Sequence, residues 1–164
     1  MDRLIEILCR VLTWIGGALM LVAILVTVGD VIARALFQTG YIGIVDVTQF
    51  AVIGFAYLAL PLTFLKNEHV AISLYDHLLG KRVDHLMRMF ALLLAITVLF
   101  IILYYGWIQA NRTVRYGDVS QNVEIPMILF WTLILGGSAV SILVCVLQFF
   151  QNMMGFLKPE NVDV

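Results

Sequence analysis

The residues able to do chemistry in this chain stand at the edges of long apolar runs. Asp30 and Arg34 are four apart, so they share one helix face in the favourable acid-then-base order. Asp46 opens the next apolar run on the same side, within reach of Arg34. Ionisable groups at membrane depth suggest an ion or proton pathway by default. A relay would want a carboxylate near mid-bilayer, and no apolar run carries one. The other reading of the trio is a neutralised polar cluster that pins the outer ends of two helices.

Two further sets invite chemistry. His69, His77 and His85 repeat every eight residues. Haem-bearing bundles place axial ligands inside facing helices, whereas these three fall on one connection at or beyond the membrane ends. Cys9 and Cys145 form no CxxC and no metal-ligand spacing, and they read as small apolar side chains packed in or near the membrane. No phosphate-binding glycine loop, nucleophile elbow or HExxH is present, so the expectation is a chain that is not an enzyme, with no cofactor and no bound metal.

The elements that hold these residues follow from composition. The 164 residues are 62% hydrophobic and 13% charged, with mean hydropathy +1.00, against about 45–50% and about 25% in soluble domains. One core of this size could not hide so much apolar surface from water. The net charge of -1 offers no basic excess for nucleic acid. Lipid is the natural solvent.

A crossing helix needs about 20 mostly apolar residues. Four windows qualify, at about 11–32, 44–65, 86–108 and 125–150. Helices satisfy their own backbone in lipid, and the alternation of an outer-membrane barrel is absent. The expected fold is therefore an all-α integral membrane protein, a single domain of four transmembrane helices. Ala33-Arg34-Ala35 superficially fits a leader cleavage site. The run from Val11 to Gly29 is long for a leader, and Asp30 and Arg34 crowd the site, so a retained first span is expected.

Seven of the ten basic residues fall at the two termini and in the central connection, and three (Arg34, Arg112 and Arg115) in the other two. The positive-inside rule then places both termini in the cytoplasm. Tyr104, Tyr105 and Trp107 close the third span, and Phe130 and Trp131 lie near the start of the fourth, as interfacial aromatic belts. Pro126 is expected in the first turn of the last helix and Pro61 as a kink inside the second. Small residues, Gly137, Ser141 and Cys145 on the fourth span and Ala51, Gly54 and Ala59 on the second, mark helix contacts. About residues 69–85, apolar positions at i, i+4 and i+8 oppose charges. This predicts an amphipathic interfacial segment broken at Gly80, or else a solvated loop.

The ordered features resemble the small membrane subunit of tripartite ATP-independent periplasmic (TRAP) transporters, the DctQ-like family. The likeness rests on Asp30-Val31-Ile32-Ala33-Arg34-Ala35-Leu36-Phe37, on Lys66-Asn67-Glu68-His69-Val70-Ala71-Ile72, and on Glu124-Ile125-Pro126-Met127. The chain departs from the family at Val45-Asp46-Val47-Thr48, where the family often has Trp and paired glutamates. It departs again at Gly136-Gly137, near a place where a proline is often found.

The resemblance implies a bacterial inner-membrane subunit of a sodium-coupled importer of organic acids. It would scaffold a large membrane subunit and work with a periplasmic binding protein that docks transiently. Asp30, Arg34, Asp46, Glu68 and His69 are then candidates for structural or subunit contacts. Arg112, Arg115, Asp118 and Glu124 are candidates for binding-protein docking, or ordinary solvated charges. A small four-helix exporter, or the anchor of a redox enzyme, are the alternatives. The first lacks its mid-span carboxylate and the second its buried histidines.

Overall fold

The computed structural model describes residues 2–38, 43–66 and 81–157. Four helices make it up: α1 (Asp2–Phe37), α2 (Ile44–Leu65), α3 (Lys81–Tyr116) and α4 (Ile128–Leu157). All four are long and apolar enough to cross a membrane. At 1.5 Å per residue the 36-residue α1 and α3 each reach about 54 Å, against a hydrocarbon core of about 30 Å. They overrun the apolar windows at both ends because a helix satisfies its own backbone in polar surroundings as well as in lipid.

The ends have local causes. Past Phe37, Gln38 takes a left-handed φ of 53°, and its N–H donates to the Arg34 carbonyl at 3.1 Å. α3 stops at Gly117, left-handed at φ 65°, whose N–H reaches the Thr113 carbonyl at 3.0 Å. α4 starts at Ile128, not at Ile125, which corrects the placing of Pro126 in its first turn. Pro126 instead sits in an isolated antiparallel bridge with Val119, where its missing N–H is not needed. The Met127 N–H donates to the Asp118 carbonyl at 3.0 Å and the Ser120 N–H to the Ile125 carbonyl at 2.9 Å. The chain is still turning there, so the helix can begin only after it.

Of the expected interfacial segment, residues 69–80 lie outside the described residues, with Glu68, His69 and His77. Residues 81–85, expected to belong to that segment, are the first turn of α3 and run on into the third span.

Packing places the helices in the order α1, α2, α4, α3. α1 packs on α2, α2 on α4, and α4 on α3. The central pair is the more buried, and α1 and α3 turn most of their apolar side chains outward. Exposed Leu21, Leu25, Phe90 and Phe100 are acceptable because hydrocarbon is their solvent.

The α2–α4 seam is the closest approach. Gly137 is buried against α2, where a Cβ would stand 2.7 Å from the Tyr57 carbonyl carbon and collide with its oxygen. Pro61, four residues beyond Tyr57, has no N–H to return to that carbonyl. The carbonyl freed by Pro61 therefore faces Gly137, which has no side chain, as neighbouring helices allow in lipid. Ser141 and Cys145 continue this face and are fully buried. Lower down, Gln148 of α4 donates its Nε2 to the Phe64 carbonyl at 2.7 Å and the Leu65 carbonyl at 2.9 Å. It satisfies acceptors that the end of α2 leaves open. Phe64, Leu92, Leu99, Val144, Cys145 and Cys9 form the apolar core.

Candidate functional site

Polar groups concentrate where α2 begins and the 117–127 connection folds over it. Gly43 supplies the N-cap in a left-handed conformation, φ 113°, and its carbonyl accepts the Asp46 and Val47 N–H groups at 3.1 and 3.2 Å. This sets Asp46 in the first helical turn, 5% exposed. Its carboxylate faces the connection. Oδ2 accepts from Ser120 Oγ at 2.5 Å and from the Asn122 and Val123 backbone N–H groups at 3.0 Å each. Oδ1 accepts from Asn122 Nδ2 at 3.1 Å. Four donors around an acceptor-only group make a matched cradle.

Asp30 and Arg34 pair as their four-residue spacing suggests, and Arg34 is not among the donors to Asp46. Arg34 Nη2 pairs with Asp30 Oδ2 at 2.6 Å along α1, with the arginine 59% exposed and the aspartate 6%. Asp46 is instead held by side-chain and backbone donors 74 to 77 residues further on. Backbone N–H groups of a turn can surround a carboxylate on three sides, whereas a surface arginine already paired within its own helix gains little by leaving it. α1 and α2 meet nearby through Thr27 Oγ1 and Thr48 Oγ1 at 3.2 Å.

The Asp46 partners were missed in the sequence. Gly117-Asp118-Val119-Ser120-Gln121-Asn122 is a run of turn formers, and such side chains and turn amides are the usual partners of a helix-opening carboxylate. Nothing in their spacing names Asp46 as the acceptor. Val123 tightens the join, because a Cβ on Gly43 would collide with its Cγ2.

The four docking candidates are placed differently. Arg112 and Arg115 lie at the end of α3, and Asp118 and Glu124 on the connection; all four are exposed, and Glu124 is left-handed at φ 56°. None of them is among the donors to Asp46. Among the described residues no cluster of three His, Cys, Asp or Glu could hold a metal. The cradle holds the connection against the start of α2.

The deciding observation comes from comparison. Residues 23–155 match the family described as tripartite ATP-independent periplasmic transporters, DctQ component. The chain belongs to the DctQ family. It is thus the small membrane component of a TRAP transporter, and the match runs from within α1 through almost all of α4. No curated protein matched the DctQ chain. Transport as part of a multi-component system, in a multi-pass protein of the bacterial inner-membrane type, agrees with four membrane-crossing helices.

Proposed function

We propose that this DctQ chain scaffolds the large membrane subunit of a sodium-coupled importer of organic acids, and that its outer connection helps dock the loaded periplasmic binding protein. The observation that carries the reading is the family match together with helices that offer packing surface but no mid-span carboxylate. In the expected orientation, with both termini cytoplasmic, the Asp46 cradle faces the periplasm and presents a preformed surface. Asp30 with Arg34 would neutralise one another where α1 leaves the membrane. Glu68 and His69 would serve on the opposite side.

Reconstitution tests the role. Sodium-driven uptake is expected only when this chain, a large membrane subunit and a soluble binding protein are all present. Uptake by the purified chain alone would overturn the scaffold reading and favour the exporter.

The docking claim has its own test. Arg115→Glu combined with Glu124→Lys reverses two exposed charges outside the cradle and leaves Arg112 untouched. Rim charges act mainly on encounter rate, so uptake at low binding-protein concentration should fall several-fold and recover at high concentration. Unchanged uptake at every concentration would sink the docking claim while leaving the scaffold role intact.

A further inference from the structure

Arg112 is exposed and lines a groove. The groove holds about 650 Å3 and is walled by α2, α3 and α4, with Tyr57, Ile102, Tyr105, Ile108 and Trp131 among its lining. Arg112 and Gln109 supply the polar groups on its α3 wall. From Arg112 to Ile102 the helix rises about 15 Å, which is one leaflet of a hydrocarbon core about 30 Å thick. The cation therefore stands at headgroup level and the isoleucine near the bilayer centre. The exposed Tyr104, Tyr105 and Trp107 fall between those two depths on the same helix.

We propose that this groove binds an anionic phospholipid, its phosphate on Arg112 and one acyl chain laid along Ile108 and Ile102. Below Arg112 the groove wall is apolar at Ile108 and Ile102, which suits an acyl chain. Charge selects the headgroup. The guanidinium is exposed and has no ion-pair partner among the described residues, whereas Arg10, at a comparable apolar groove between α1 and α2, is paired with Glu6 at 2.6 Å. An arginine fork matches two phosphate oxygens. A zwitterionic lipid would bring its own cation towards Arg112 and Arg115.

The test is native mass spectrometry of the transporter complex purified from membranes and exchanged into nanodiscs. Discs containing phosphatidylglycerol are compared with discs of phosphatidylcholine alone. The wild-type complex should retain phosphatidylglycerol several-fold better, because both lipids offer a phosphate and only phosphatidylcholine sets a cation against Arg112 and Arg115. Arg112→Gln should abolish the preference, Arg112→Lys should restore part of it, and Ile102→Trp, which fills the groove, should reduce retention of both lipids. Millimolar inorganic phosphate should displace nothing.

Equal retention of the two lipids by the wild type would overturn the proposal, as would an Arg112→Gln complex with unchanged preference. Displacement by inorganic phosphate would reveal a free-anion site instead of a lipid site. A photo-crosslinker at Ile108 that captures a protein in place of lipid would also overturn it. The lipid-retention outcomes leave the scaffold and docking readings untouched, because retention is measured without transport.

Discussion

Asp46→Leu should release the 117–127 connection from α2. All four hydrogen bonds to the carboxylate disappear together, leaving Ser120 Oγ and the Asn122 and Val123 amides facing an apolar side chain. Hydrogen exchange at the Asn122 and Val123 amides should then rise at least tenfold, on the order of losing their only local protection. Asp46→Asn is expected to be milder. An amide oxygen at the Oδ2 position keeps three donors, and Asn122 can turn its own amide to meet the new NH2 group. Comparing the two separates shape from charge. Exchange rates unchanged in Asp46→Leu would show that the connection is held by Gly43 against Val123 alone.

The second large effect is expected at the α2–α4 seam. Gly137→Ala puts a methyl into the Tyr57 backbone, with the carbonyl carbon at 2.7 Å and Tyr57 Cβ at 2.9 Å. Backbone cannot rotate aside as a flexible side-chain end can, so the two helices must separate. Overpacking of this kind costs about 1–3 kcal/mol, and Gly137→Leu should cost more. Its neighbour is an internal control. A Cβ on Gly136 meets nothing within 4 Å, so Gly136→Ala should be neutral or slightly stabilising through helix propensity. Thermal unfolding of the purified chain should place Gly137→Ala below the wild type and Gly136→Ala at or above it. A Gly137→Ala midpoint equal to that of Gly136→Ala would contradict the close approach.

Sequence and structure agree most closely where periodicity and hydrophobicity decide. α2 coincides with its apolar window because Gly43 and the end of the apolar run bound it on both sides. The small-residue face of α4 was legible because Gly137, Ser141 and Cys145 recur at a four-residue spacing that only a helix brings together. The Asp46 cradle was not legible. Three of its donors are turn groups whose direction depends on the Val119–Pro126 bridge, and that bridge forms between residues with no distinctive pairing signal. The start of α4 was misplaced for the same reason. Pro126 suits a first helical turn and a bridge equally well, and the turn around it settles the matter.

The spatial order α1, α2, α4, α3 means that chain neighbours form two antiparallel hairpins, joined along one seam between their inner helices. Each hairpin can close as it enters the bilayer without waiting for the other. Among the described residues the two hairpins meet mainly through α2 on α4, with the 117–127 connection bonded to Asp46. The two hairpins are thereby joined chiefly along one helix pair. The Tyr57–Gly137 approach, the Gln148 bonds to the end of α2 and the Asp46 cradle all lie on that joint or span it. Much of the molecule's long-range specificity is thus concentrated in one meeting of two helices, with a polar clasp near each end.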